Sequence, residues 1–346
     1  MIDIVFNKKE FEYDAYTLIK AFYPQEEVSI LYEGEEKTET FQEKEEAFLV
    51  VKITYNKEDT RLEILKNKET VFEETIFLAS DDERKERKNK LKQALYRGLS
   101  KETKKVLPWG DLTGIRPTKI AMGLIESGMS NVETAEFMRN TYYTSNEKTA
   151  LAITIANRER ALLADIDYKN GYSLYVGIPF CPSICLYCSF SSYPLTKWRD
   201  KVDAYLDALC KELTYIGETM KVRTLDTIYI GGGTPTTLEP EQLERLLSHI
   251  ECCFPTREVK EYTIEAGRPD SITREKLEVI RKYPVTRISV NPQTMNQATL
   301  DLIGRRHTVE DTRHAFALAR ECGFDNINMD LIVGLPGECA KDVQKT

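Results

Sequence analysis

Tyr172-Ser173-Leu174-Tyr175-Val176-Gly177-Ile178-Pro179-Phe180-Cys181-Pro182-Ser183-Ile184-Cys185-Leu186-Tyr187-Cys188 decides how the rest of the chain is read. The largely apolar run over 173–178 predicts a strand. Three cysteines follow it at once, spaced C-x3-C-x2-C. Three thiolates in one loop can bind a soft metal or an iron–sulfur cluster. A structural zinc site asks for a fourth ligand, usually from a second pair of knuckles. No histidine follows nearby; the next is His249. Three cysteines suit a four-iron cluster with one iron left open.

Downstream the chain alternates. Strands are predicted over 227–230, 262–265, 286–290 and 326–333. Val202, Tyr205, Leu206, Leu209, Leu213 and Ile216 recur at helical spacing, as do Leu243, Leu246, Leu247 and Ile250. Regular β–α alternation predicts a parallel sheet. Its chemistry belongs on loops after the strands' C-terminal ends. A complete eightfold barrel needs about 250 residues, more than follow Gly171. The expected fold is therefore α/β: a partial (β/α)6-type TIM barrel over 166–346, ending after its fifth strand.

An α+β N-terminal domain is expected over 1–165. Strands are predicted over 2–6, 28–32, 47–54, 60–65 and 70–77. Helices follow over 81–99, 116–127, 130–142 and 146–164, after a first helix over 11–22. Ser130 and Glu133 form a capping-box pattern.

The 346 residues are 41% hydrophobic and 30% charged, an ordinary folded composition that excludes disorder. Apolar runs fall far short of the ~18 residues a membrane span needs. The N-terminus lacks a basic leader region, so no secretory signal is expected. The net charge of −8 resides in residues 1–50, which hold thirteen acidic and five basic side chains. The remainder balances, with 43 of each sign. Without a basic surplus, nucleic acid is not an expected partner. The lysines and arginines over 84–92 alternate with acids and read as a solvated helix face. Eight cysteines, none before residue 181, point to a reducing compartment, the cytoplasm.

The C-x3-C-x-aromatic-C loop after a first barrel strand resembles the radical S-adenosylmethionine (SAM) superfamily. The resemblance implies that Cys181, Cys185 and Cys188 hold a 4Fe-4S cluster. SAM would chelate the open iron through its amine and carboxylate, and one electron would cleave it to a 5′-deoxyadenosyl radical. Further motifs fit in order. Gly231-Gly232-Gly233-Thr234-Pro235 resembles the GGGTP form found in the oxygen-independent coproporphyrinogen III oxidase-like branch. It makes Gly232, Gly233 and Thr234 cofactor contacts. The same resemblance assigns Glu265 to the SAM amine, Arg305 to its carboxylate and Asp330 to its ribose. Gln293 and Tyr187 join the cofactor contacts. Tyr175 matches a tyrosine near the cluster and is the implied catalytic residue.

Three stretches narrow the resemblance to HemZ-type coproporphyrinogen dehydrogenases: Pro108-Trp109-Gly110-Asp111-Leu112-Thr113-Gly114-Ile115-Arg116-Pro117-Thr118-Lys119, Glu265-Ala266-Gly267-Arg268-Pro269-Asp270 and Ser289-Val290-Asn291-Pro292-Gln293-Thr294-Met295. The implied reaction is oxidative decarboxylation of coproporphyrinogen III propionates to vinyl groups. The implied partners are a tetrapyrrole substrate and an electron donor such as flavodoxin or ferredoxin. Arg268 and Arg306 are candidates for the propionates, or solvated surface residues. His307 is a candidate substrate contact. Cys252 and Cys253 are expected to be buried thiols. Two departures stand against the decarboxylase. Phe190 occupies the place of a fourth cysteine found in the oxidases, as in heme-trafficking relatives. The chain also stops before a sixth strand, which would leave the site open. Alternatives are a heme-delivery protein, a radical SAM enzyme on another substrate, and a zinc protein.

Overall fold

The computed structural model describes residues 1–34, 47–77, 83–114, 116–167 and 170–346. The start of the helix expected over 81–99 lies outside them. The chain forms two compact units, Met1–Ala164 and Asp165–Thr346.

The first unit opens with β1 (Ile2–Phe6), α1 (Glu12–Phe22), β2 (Val28–Tyr32), β3 (Leu49–Tyr55), β4 (Asp59–Lys66) and β5 (Glu69–Phe77). The sheet order is β2-β1-β3-β4-β5. β1 runs parallel to β2 and β3, while β3, β4 and β5 form an antiparallel meander. Alternation explains the core. Leu49, Val51 and Ile53 of β3 point inward beside Ile2, Ile4 and Phe6. Leu18, Ile19 and Phe22 of α1 and Leu91, Leu95 and Leu99 of α2 (Arg84–Thr103) complete that core.

Three helices follow: α3 (Thr118–Glu126), α4 (Asn131–Tyr142) and α5 (Asn146–Leu162). They share a small core of Ala121, Ile125, Met138, Ala152 and Ala156. The Ser130–Glu133 capping box caps α4, satisfying amides that the helix leaves without partners.

In the second unit, β6 (Tyr172–Ile178) is followed by the two-residue strands β7 (Phe180–Cys181) and β8 (Tyr193–Pro194), which pair with each other. Then come α6 (Leu195–Trp198), α7 (Val202–Thr219), β9 (Leu225–Gly232), α8 (Pro240–Cys253), β10 (Glu261–Glu265), α9 (Arg274–Arg281), β11 (Arg287–Ser289), α10 (Gln297–Leu302), α11 (Val309–Glu321), β12 (Ile327–Asn328) and α12 (Ala340–Lys345). The sheet is all parallel, in the order β12-β11-β10-β9-β6. Leu206, Leu209 and Leu213 of α7 and Leu243, Leu246, Leu247 and Ile250 of α8 pack into its core. This is the expected partial barrel, with every strand pointing its C-terminal end toward one rim.

Two expectations need correction. The fifth strand was expected over 326–333 but ends at Asn328, apart from an isolated bridge between Gln293 and Leu331. Met329, Leu331 and Val333 look like an alternating strand in sequence. All three are exposed, so no core face rewards further pairing. Asp330 therefore follows the strand instead of lying on it. Cys252 is also exposed, and Cys253 only half-buried. The buried face of α8 is filled by its leucines and Ile250 instead.

Candidate active site: a cysteine-lined cleft at the strand ends

The loops after the parallel strands converge on one cleft. Cys181, Cys185, Tyr187 and Cys188 come from the loop after β6. Gly232, Gly233 and Thr234 come from the end of β9, and Glu265, Gly267 and Arg268 from the end of β10. Asn291 and Gln293 follow β11, Arg305 follows α10, and Asp330 follows β12. Every residue expected to hold the cluster or SAM lines this cleft; Tyr175, Arg306 and His307 do not.

The cysteine loop is tied to its neighbours. Leu186 donates its amide to the Ile303 carbonyl at 2.9 Å. The Ser183 hydroxyl donates to the Gly304 carbonyl at 3.0 Å. Cys181 Sγ lies 3.6 Å from Thr234 Oγ1, and burial pushes the Cys181 thiol pKa up. The glycine run lets two segments approach closely. A Cβ on Gly233 would stand 2.6 Å from the Phe180 carbonyl oxygen and 2.9 Å from Cys181 Sγ. Gly232 has φ +104°, a conformation L side chains rarely adopt.

Glu265 accepts a hydrogen bond from the Tyr229 hydroxyl. Burial raises the pKa of this carboxyl, while the tyrosine bond pulls it back. The Tyr229 ring stacks on Tyr175, with centroids 5.8 Å apart and planes 10° apart. Tyr175 is 59% exposed and reaches the cleft only through Tyr229. Gln293 sits at φ +65°, a strained conformation for this residue type. Two backbone bonds hold it there: its amide donates to the Asp330 carbonyl, and the Ile332 amide donates to its carbonyl, both at 3.0 Å. The Asp330 amide donates to Asn291 Oδ1 at 3.3 Å. Asn291, Tyr229 and Ser183 are thus parts of the site that motif reading did not pick out.

Arg305 is 4% exposed. Its guanidinium donates to the carbonyls of Asn291, Pro292 and Gly267, pinning three loop positions. Its Nε is buried with no partner.

Arg268 and His307 differ from the sequence reading. Arg268 is 3% exposed, forms a two-point ion pair with Asp270 (2.9 and 2.7 Å), and donates to Ser183 Oγ at 3.1 Å. A further N–H points at Cys185 Sγ, 3.7 Å away. It is neither a surface residue nor free for a propionate. His307 is fully enclosed, its Nδ1 4.0 Å from Asp270 and both ring nitrogens unbonded. Burial, helped by Arg305, lowers its pKa to about 4, so it stays neutral. It lies outside the cleft lining. Arg306 is exposed and also outside that lining.

The residues present fit a cluster with SAM. Three thiols line one cleft, a glycine run leaves room beside one of them, and a buried Arg305 nitrogen is left without an acceptor. Among the described residues, no three His, Cys, Asp or Glu side chains converge as ligands of a single ion would.

Residues 175–346 match the model of the radical SAM superfamily. Through this second unit the chain belongs to that superfamily, whose members use a 4Fe-4S cluster and SAM. The chain is 38% identical over 328 residues to the oxygen-independent coproporphyrinogen-III oxidase-like protein HemZ of Bacillus subtilis (strain 168), covering 92% of this chain and 64% of that protein. It is 40% identical over 173 residues to the heme chaperone HemW of the same organism, covering 50% of this chain and 45% of that protein. It is 36% identical over 167 residues to the oxygen-independent coproporphyrinogen III oxidase of Escherichia coli (strain K12), covering 47% of this chain and 35% of that protein. A solved structure of coproporphyrinogen III oxidase from Escherichia coli aligns with TM-score 0.47 and 32% identity, covering 54% of this chain and 43% of that chain. The chain therefore spans between about a third and two thirds of the relatives it matches. Among the described residues, no helix is long and apolar enough to cross a membrane.

Proposed function

We propose that the chain acts as a radical SAM oxidoreductase on a tetrapyrrole, converting propionates of coproporphyrinogen III to vinyl groups. One observation carries the reading. The cleft gathers three thiols, a glycine cradle, a half-buried carboxylate and a buried guanidinium at the strand ends, in a chain 38% identical to a HemZ protein.

In this reading Cys181, Cys185 and Cys188 hold the cluster. When bound, the cluster and SAM supply one-electron chemistry that removes a hydrogen atom from a substrate C–H bond. The protein's own residues bind and orient. Glu265, fixed by Tyr229, accepts from the SAM amine. Arg305 offers its unpartnered Nε to the SAM carboxylate, its other nitrogens already holding the loops. Gly232, Gly233 and Thr234 let backbone approach the ligand. Gln293 and Asp330, joined by the bond from the Gln293 amide to the Asp330 carbonyl, would bind the ribose, and Tyr187 adds a further contact from within the cysteine loop. Tyr175 supports Glu265 through the stacked Tyr229. Arg268 is a positioning residue for Cys185. The reaction at the substrate balances simply. A propionate β-carbon loses a hydrogen atom, the carboxylate leaves as CO2, one electron passes to an acceptor, and a vinyl group remains. A reduced flavodoxin or ferredoxin supplies the electron for SAM cleavage. The cytoplasm, with its reduced thiols, suits eight free cysteines.

Ile184, Leu186 and Phe190 of the cysteine loop are exposed. An apolar rim of this kind suits a large flat macrocycle. The second reading, heme delivery without decarboxylation, is favoured by Phe190 and by the similarity to HemW. Incubating the reconstituted protein anaerobically with coproporphyrinogen III, SAM and dithionite separates the two. A vinyl product formed together with 5′-deoxyadenosine supports the decarboxylase. Heme bound in spectrophotometric titration, with no vinyl product, supports delivery and overturns the decarboxylase reading.

A further inference from the structure

We infer that the first unit carries a binding site for a small organic polyanion that also presents N–H or O–H donors. The site is a cavity of about 730 Å³ between one side of α2 and the segment that leads into α3. That volume falls within the range of small-molecule pockets. Its lining belongs wholly to the first unit.

The charge is arranged in depth. Lys85, Lys88 and Lys92 stand at i, i+3 and i+7 on α2, so they share one face. Arg116 and Lys119 supply further cations to the lining. Lys85, Arg116 and Lys119 are exposed, Lys88 is half-buried and Lys92 is buried. Five cations thus meet only two acids, Asp14 and Asp111, in the lining of a cavity within an acidic chain. Asp14 is 3.8 Å from Lys88.

The floor is the second observation. Asp111 is 1% exposed, and its Oδ1 has no hydrogen-bond partner. Lys92 directs its ammonium to Thr113 Oγ1 at 3.3 Å rather than to that oxygen. Burying a carboxylate oxygen without a partner is costly. A turn packed only for stability would place an apolar residue there. An unsatisfied acceptor in the lining of a cationic cavity calls for a ligand that donates a hydrogen bond to Asp111 and offers its negative groups to the lysines. Phe137 and Tyr142 add aromatic wall, which suits a ring system. A bare inorganic anion would use the lysines but leave Asp111 opposed to it. Nucleotides and polycarboxylate tetrapyrroles both present the required chemistry, and the test separates them.

The whole chain is titrated calorimetrically with ATP, with coproporphyrin III and with inorganic pyrophosphate, at one ionic strength. ATP or coproporphyrin III is expected to bind one-to-one and more tightly than pyrophosphate. In the exposed double variant Lys85→Ala/Lys119→Ala, that affinity should fall about 10-fold or more. Asp111→Leu should weaken the organic ligand but strengthen pyrophosphate, because it removes an acceptor for one and a like charge for the other. The double variant alters surface residues only, so it keeps the test valid if Asp111→Leu fails to fold. Two results overturn the inference. One is no saturable binding of ATP or coproporphyrin III up to about 1 mM. The other is binding that the double variant leaves unchanged.

Discussion

Two cavities, one in each unit, hold buried charge in different ways. In the cysteine cleft every buried charge has a job inside the protein. Arg305 binds three carbonyls, Arg268 is paired with Asp270, and Glu265 accepts from Tyr229. In the lysine cavity Asp111 and Lys92 are both buried; Lys92 donates to Thr113, while Asp111 Oδ1 has no partner. The first pattern is a scaffold that fixes ligand-bearing loops before anything binds. The second leaves polar groups unsatisfied until a ligand arrives. Their origins differ too. The cleft is built from loops at strand ends, the cavity from the side of a helix and the loop opposite it.

The comparison can be broken most sharply at the thiols. Cys185→Ser should lose the cluster. Iron and sulfide after anaerobic reconstitution should fall well below the wild-type content, and 5′-deoxyadenosine should disappear. Wild-type iron content in this variant would mean that the cleft is not the cluster site.

The open acceptor in the first unit predicts a pH-dependent stability. Burial, partly offset by Lys92, raises the Asp111 pKa from 3.8 to about 7. The folded state therefore holds this proton more tightly than the unfolded state. The stability it contributes is complete below pH 4 and is lost as pH rises through about 7. Replacing Asp111 with Asn should stabilise the protein increasingly from pH 5 to pH 8, by up to about 4 kcal/mol. Denaturant unfolding at the two pH values measures it. An equal effect at both would show that Asp111 is not held protonated by burial.

Arg305→Leu comes next. It strands three carbonyls, at ~1–3 kcal/mol each where they are buried, and removes the Nε donor. SAM affinity by equilibrium dialysis should drop about 10–100-fold while the cluster's iron content is retained. Unchanged SAM affinity would confine Arg305 to loop pinning. The smallest expected effect is at Arg268→Lys, which keeps the charge but loses the planar fork. Losing the N–H directed at Cys185 should lower the cluster's reduction potential by some tens of millivolts, since hydrogen bonds to the sulfurs tune it. A redox titration followed by electron paramagnetic resonance would register no shift if Arg268 only braces Asp270.

The same contrast explains what the sequence made legible. The cysteines, the glycine run, Glu265, Gln293, Arg305 and Asp330 stand in short motifs at strand ends, and the parallel sheet brings those ends together. Helix and strand periodicity located most of the elements in both units. Tyr229 was hidden because its partners depend on strand pairing. Only the register of β6 against β9 sets Tyr175 beside it. Arg268 was visible as a charge next to a motif, but its burial against Asp270 and Ser183 arises from a turn whose direction the sequence does not reveal. The lysines over 84–92 were read as a solvated face. Their spacing was plain, but the facing residues Asp111, Thr113, Arg116 and Lys119 lie about twenty residues or more away in sequence. The fifth strand misled for the opposite reason: its alternation was real, but Met329, Leu331 and Val333 found no core.

The central claim is that the cleft holds a four-iron cluster that cleaves SAM. The direct measurement is anaerobic reconstitution with iron and sulfide, followed by reduction with dithionite in the presence of SAM and mass-spectrometric detection of 5′-deoxyadenosine. The account predicts about four irons and four sulfides per chain, with deoxyadenosine that rises when coproporphyrinogen III is added. Bound zinc without sulfide, or a loaded cluster that yields no deoxyadenosine with SAM, would contradict it.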